Sequence, residues 1–264
     1  MDAEQPGRVL GIVGCEVLMN EIAHVISMDG DVSSVIVIDT PESRELAQRL
    51  EVLSPSKTVE VKAEAEAGTK VPGIGTKVIV KVMPIGLHQR KAELREEVLA
   101  QAMKMQKICG SILIFYGLCG NAFRDIERLT SDFTVPVTIL RDDRSLIVDD
   151  CVGAELGGTE EYLAYLRSEH GEYPLNAMWA EKWRHYMCET QLLRDPNDLE
   201  GVKMVFQCMG YSRVAKLDTG LGNADEFEKE VREFASLLEL DVVNVRCPLR
   251  VVEESYRAAM TILK

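Results

Sequence analysis

The feature that most constrains this chain is a rhythm in which short apolar runs are each followed by residues with apolar positions at helical spacing. "RVLGIVGC" leads into "EVLMNEIAHVIS", "SSVIVID" into "PESRELAQRLEVL", and "KVIVKVM" into "QRKAELREEVLAQAMKMQKI". "SILIFYG" then precedes the short helical stretch "AFRDIERLTSDF" and the run "VPVTILR". Unbroken Val, Ile and Leu runs belong to strands covered on both faces, and such strands lie in parallel sheets whose crossovers are helices. The pattern predicts an α/β fold with a doubly wound, mostly parallel, Rossmann-like sheet. "SILIFYG" is the most apolar run, which predicts a central place for it.

The polar segment 55–76 reads as an irregular excursion or a hairpin, with "PGIGT" at its end as a turn. Residues 143–209 read as mostly helical, starting with "RSLIVDDCVGAEL". After them come a late strand in "RVAKLDTG", the helix "ADEFEKEVREFASLLEL", a last strand in "DVVNVRC" and a closing helix beyond Pro248. The 264 residues are expected to form a single α/β domain over 1–264, or two interlocked lobes. In either case about 1–142 and 210–264 build the sheet and 143–209 form a helical insert.

Apolar residues at 46% and charged residues at 28% fit a globular chain with a large core. A net charge of -13 argues against nucleic-acid or anionic-membrane partners, because both need clustered Lys and Arg. No basic region followed by an uninterrupted apolar stretch opens the chain, and no apolar segment is long enough to span a bilayer. A cytoplasmic location is expected. Seven widely spaced cysteines then read as free thiols with a metal-binding or catalytic subset, not as a disulfide framework.

In a parallel α/β sheet the ligand site lies beyond the carboxyl ends of the strands. Cys15 and Cys119 both stand there, each directly after its strand. Gly117 and Gly120 flank Cys119 and allow close backbone approach, and Asn121 is placed to cap the following helix, whose N-terminus would favour the thiolate. Buried packing is the plain alternative for either cysteine. Cys151 sits beside Asp149 and Asp150, which would raise its pKa; a metal cation removes that objection. Three thiolates and an open position make a catalytic type of metal site, with Cys208 as a candidate fourth ligand. Cys109, Cys188 and Cys247 read as core or surface thiols.

His88 closes "MPIGLH" at another strand end, as a turn residue, a ligand or an acid-base group. His24, inside the first helix, and His170, in a polar turn, read as structural or solvent-facing. His185 lies in the aromatic stretch "MWAEKWRHY", which reads as a core stripe or an apolar lid. No phosphate-binding loop, complete dinucleotide fingerprint or nucleophile elbow occurs. "LDTG" at 217–220 matches the catalytic tetrapeptide of aspartic proteases, but its α/β surroundings do not fit that all-β fold.

The stretches "VGCEVLMNEI", "IGLHQRKAELRE", "LIFYGLCGNAF", "DDCVGAELGGTEEYLAYL", "YPLNAMW" and "VAKLDTG", in that order, resemble the landmarks of domain-of-unknown-function family 1638 of methanogenic archaea and anaerobic bacteria. The resemblance covers nearly the whole chain. It singles out Cys15, Cys119 and Cys151, with His88 as a further candidate. The chain departs from the family at Asp149, where a histidine is usual, and at Met178, where a glycine is usual before Trp179.

The resemblance implies one-carbon chemistry alongside corrinoid-dependent methyltransferases. The expected function is a metal centre on three cysteines, zinc or a [4Fe-4S] cluster, serving methyl-transfer metabolism with a small molecule or a corrinoid-protein partner. The rival is a non-enzymatic corrinoid or metal carrier, or an accessory subunit, with an exposed apolar surface around Trp179, Trp183 and Tyr186. An enzyme would turn those aromatics into a roof over the thiols. The sequence leaves the oligomeric state open.

Overall fold

The structure, a computed structural model, describes residues 8–67, 75–167, 171–192, 194–195 and 198–263. Six strands build the first sheet: β1 (Val9–Cys15), β2 (Val32–Ile38), β3 (Thr58–Lys62), β4 (Thr76–Met83), β5 (Ser111–Phe115) and β6 (Val137–Ile139). Their order is β3-β2-β4-β1-β5-β6, and every neighbouring pair is parallel. The first half of the chain also holds α1 (Met19–Met28), α2 (Pro41–Leu53), α3 (Glu64–Ala67), α4 (Lys91–Met105) and α5 (Ile126–Leu129). Local chemistry sets their limits: Thr40 caps α2 by accepting from Ser43 N at 3.1 Å, with Pro41 in the first turn.

Alternate residues of each strand feed two cores. Leu10, Ile12, Val78, Val80, Leu113 and Phe115 pack toward α1 and α2, whereas Val13, Ile79, Ile112 and Ile114 pack toward Leu94, Val98 and Ala102 of α4. This is the doubly wound arrangement that the unbroken apolar runs predict. β5 is second from the edge, not central; it is buried throughout because helices cover both of its faces.

The expected excursion at 55–76 contains β3, a parallel edge strand rather than a hairpin arm. Glu60 and Lys62 are tolerated there because an edge strand is partly solvated, and they ion-pair with each other at 2.6 Å. Residues 68–74, which carry most of "PGIGT", lie outside the described residues, as does His170.

The second half holds α6 (Cys151–Leu156), α7 (Thr159–Leu166), β7 (Glu172–Leu175), α8 (Ala177–Glu189), α9 (Leu199–Cys208), β8 (Arg213–Asp218), α10 (Ala224–Leu238), β9 (Asp241–Arg246) and α11 (Arg250–Ile262). Two expectations are corrected here. Residues 143–150 are not helical; an antiparallel bridge joins Arg141 to Ile147, and α6 begins only at Cys151. The late strands do not join the first sheet either. The region read as a helical insert supplies β7, which pairs with β8 and β9 in a second parallel sheet of order β7-β8-β9.

Aromatic residues of α8, α9 and α10 fill one side of this second sheet, among them Trp183, Phe206, Phe227 and Phe234. The chain then returns, because α11 packs on β5 and α1 of the first sheet. Ser111 Oγ donates to Ala259 O at 3.1 Å and holds that helix in place. Among the described residues no helix is long and apolar enough to cross a membrane.

Candidate functional site

Cys15 is the last residue of β1 and is 3% exposed. The chain turns there into a 3-10 segment, Glu16–Leu18, so the amides of Val17 and Leu18 turn back on its sulfur. On the adjoining strand β5 gives way to Tyr116. Its buried hydroxyl has no oxygen or nitrogen partner and interacts instead with the Cys15 thiol.

Cys119 comes from a segment with unusual backbone. Leu118 and Cys119 donate their amides to Val148 O and Asp149 O, both at 2.8 Å, which laces this turn to the segment entering α6. Gly117 permits the lacing, because a Cβ on it would lie 2.4 Å from Val148 O and 2.9 Å from Asp150 N. Cys119, Gly120 and Asn121 then take left-handed φ values of 45°, 65° and 72°. Each left-handed residue other than glycine costs about 1 kcal/mol or more. Such strain persists where the surroundings enforce it, and it gathers at functional sites. Asn121 therefore does not cap a helix as expected: turns continue beyond it, and α5 starts only at Ile126.

Cys151 opens α6. Asp150 caps that helix by accepting from Gly153 N at 3.0 Å, and its other oxygen accepts from Tyr162 Oη at 3.2 Å. All three thiols belong to one apolar cluster with Tyr116, Phe123, Trp179 and Tyr186. They also act on one another electrostatically. Burial first, and then the Glu16 carboxylate, push Cys15 up to about 12. Cys119 rises well above the usual thiol value through burial, then Cys15 and Asp150; Cys151 does so through burial, then Asp150 and Cys15. The expected helix-favoured thiolate is corrected, since burial and mutual repulsion outweigh the few amides that face the sulfurs. The thiols keep their protons until a cation offsets the charge.

His88 lies in a 3-10 segment, Ile85–Gln89, beyond β4. Its Nδ1 is 3.1 Å from Ile85 O, and a carbonyl can only accept, so Nδ1 carries the proton and Nε2 keeps its lone pair. The ring stacks on Tyr116 with centroids 5.9 Å apart, and burial lowers its pKa. The result is a neutral imidazole with its basic nitrogen available, oriented as metal-ligating histidines are by a second hydrogen bond.

Trp179 and Tyr186 of α8 lie 5.1 Å apart, centroid to centroid, over the same cluster. Trp183 is buried in the second sheet's core. His185 tilts against Tyr186, and His24 bonds Glu253 at 2.9 Å, a structural role. Cys208 is exposed at the end of α9 and is not among the groups that act on the three thiols. Cys109 packs beneath Gly11, and Cys247 joins the second sheet's smaller core.

Among the described residues no group of three or more His, Cys, Asp or Glu side chains is arranged to hold a metal ion. The donor set still has the chemistry of a soft-metal site. Three thiols from separate segments pack into one apolar cluster, beside a phenol without an oxygen or nitrogen partner and a histidine whose Nδ1 is held by a carbonyl.

Sequence reading missed the buried carboxyls. Glu16 accepts from Ile85 N through Oε1 and from Tyr186 Oη at 3.3 Å through Oε2, tying the ends of β1 and β4 to α8. Glu155 Oε1 accepts from Asn176 Nδ2 at 2.6 Å, while its Oε2 is buried without a partner. Glu21 Oε1 accepts from Thr219 Oγ1 at 3.3 Å. The available signal was an acid standing alone in an apolar run, as in "VGCEVLMNEIA" and "CVGAELGG".

Burial raises Glu21 from 4.5 to about 7 and holds Glu155 well above the usual carboxylate range, with Glu21 adding to the effect. A carboxyl raised on folding contributes stability that is full below its unfolded value and is lost as pH rises through its folded value. Here that window runs from about 4.5 to about 7. Glu21→Gln is expected to be more stable than wild type at pH 8 by on the order of 2 kcal/mol. The gap should close as pH falls toward 5, read from urea midpoints across that range.

The family model described as Protein of unknown function (DUF1638) matches residues 82–256, well over half of the chain. No curated protein and no solved structure matches it.

Proposed function

The chain belongs to the family described as Protein of unknown function (DUF1638), and from that premise we propose that Cys15, Cys119 and Cys151 hold a soft-metal centre with one open position. The carrying observation is the convergence of three thiols from three segments in one aromatic-walled place, one of them presented by left-handed backbone. Thiolate ligands suit zinc and an iron-sulfur cluster alike, and we take the cluster as the reading to test. Three protein ligands leave one metal position for an exogenous donor.

When bound, such a centre supplies a Lewis acid that holds a soft nucleophile as its anion. The chain's own residues supply the rest. Tyr116 gives a hydroxyl to the Cys15 sulfur, and Nε2 of His88 can take up a proton. Glu16 locks the strand ends, and Trp179 with Tyr186 keeps water from the thiols. We read the substrate as a small molecule or a corrinoid-protein partner in anaerobic one-carbon metabolism; that part rests on the family resemblance. A carrier would display its aromatics, whereas over the thiols Tyr186 is fully buried and Trp179 half-buried, which favours a closed, enzyme-like centre.

The test is anaerobic purification, reconstitution with iron and sulfide, and assay of iron, zinc and acid-labile sulfide. Near-equal iron and sulfide, about four of each per chain, is expected. One zinc without sulfide would change the metal and keep the ligands. No retained metal, with all three thiols freely alkylated, would overturn the proposal.

A further inference from the structure

The two sheets make two bodies, and the chain connects them on one side only. It passes from β6 to α6 and returns from β9 to α11, and the two crossings lie together. Arg250, at the start of α11, donates through Nε and Nη2 to Gly157 O, between α6 and α7, at 3.0 and 2.7 Å. They stand at the β5-β6 end of the first sheet, because α11 packs on those two strands.

α8 belongs to the second body and leans on the first. It packs against α10 on one side and against the 3-10 turns after β1 and β4 on the other. Its outer fastening is polar and stands at the far end of the first sheet, because the helix it meets, α2, covers β2, β3 and β4. Glu45 of α2 holds Lys182 of α8 on one carboxylate oxygen and Arg49 of its own helix on the other, at 2.5 Å. Arg49 reaches on to Glu181 of α8 at 2.9 Å and to Asn20 of α1 at 2.8 Å. Deeper in, Tyr186 Oη donates to Glu16, Asn176 Nδ2 to Val17 O and Thr219 Oγ1 to Glu21, each at 3.3 Å. Met178, Trp179 and Tyr186 add the apolar part of the contact.

α8 is also broken where it is fastened. Lys182 has φ -121° and ψ 18°, outside the helical range, although the helix contains no Pro or Gly that would bend it. Neighbouring residues of a straight helix point about 100° apart. With the break, Glu181 and Lys182 engage neighbouring side chains of α2. Half-exposed polar contacts pass to water at little net cost, and bodies joined largely by them move relative to one another. Access requires such a movement: Cys15 is 3% exposed and Tyr186, beside it, is fully buried.

We propose that the second body is a lid on the first, hinged at the two crossings beside Gly157, latched by Glu45 and Arg49 onto Glu181 and Lys182, and opening to admit substrate to the thiols. The lid rests on the thiols being the site, as read above, and needs no metal on them.

The test uses metal-free protein and iodoacetamide, with alkylation followed peptide by peptide. Cys15 reports the lid. Cys109, 4% exposed and packed with Met105 beneath Gly11, reports unfolding of the first sheet. Local opening exposes the first without the second. Glu45→Gln removes the charge that holds Lys182 and Arg49, so Cys15 should react about tenfold faster while Cys109 keeps its wild-type rate. Wild type gives a second arm, which stands even if the variant does not fold. Salt at about 1 M shortens the screening length to about 3 Å, so it should speed Cys15 severalfold and leave Cys109 unchanged. A Cys15 rate indifferent to both Glu45→Gln and salt overturns the lid, as do rises shared equally by Cys109. Metal analysis decides the cluster separately: a lid that opens over thiols binding no metal keeps this inference and removes the other.

Discussion

If the three thiols hold a metal as proposed, Cys119→Ser should lose it. A hydroxyl is a poor ligand for soft metals, and removing even an outer-shell partner of a ligand costs about 10–100-fold in affinity, so loss of a ligand should cost at least about a hundredfold. Metal analysis after anaerobic reconstitution reads the effect directly. A metal content equal to wild type would remove Cys119 from the ligand set. The metal-free chain adds a second reading at the same position. At φ 45° the usual preference for alanine over glycine reverses, so Cys119→Gly should be more stable than Cys119→Ala by about 1 kcal/mol in urea. The opposite order would mean that the turn is not held left-handed.

Gly117→Ala should be the most damaging single-methyl addition at the site. The new Cβ would meet Val148 O at 2.4 Å, Asp150 N at 2.9 Å and Asp149 C at 3.0 Å. All three are backbone atoms, so no side chain can rotate away. The strand end and the segment entering α6 would have to separate, with a loss of about 3 kcal/mol. Cys119 and Cys151 would lose their relative placement with it. Gly120→Ala is the control: its Cβ would meet only the movable end of the Lys91 side chain, at 2.6 and 2.9 Å, although φ at Gly120 is 65°. That variant should lose only about 1 kcal/mol. Thermal unfolding of both variants orders them, and equal losses would mean that the Gly117 lacing adds nothing.

Much of this could be read before any coordinates. β1, β4, β5 and α4 are plain because buried parallel strands are written in apolar residues alone and amphipathic helices in their stripe. Cys15, Cys119 and Cys151 follow from the same logic, since a parallel sheet collects whatever stands just after its strands. β3 was hidden because an edge strand mixes Glu and Lys with its valines, and hydropathy reads that mixture as loop. The second sheet was hidden for another reason: periodicity reports that "RVAKLD" and "DVVNVR" are strands, and nothing in it names the strand each will pair with. Glu21 and Glu155 escaped notice because an acid on a helix is ordinarily a solvated one. Their burial depends on α1, α6 and the ends of β7 and β8 meeting, which no local window contains.

The return of α11 to the first sheet bears on how the protein is made. β5 and β1 leave the ribosome well before the 13-residue α11 that covers β5 on one face. Until it docks, α1 and α2 cover that face only in part, and the stretch over β5 stays open. The segments bearing Cys15, Cys119 and Cys151 are therefore all synthesised before the sheet that positions them is complete. Assembly of the thiol site therefore waits until α11 has been made and has docked on β5.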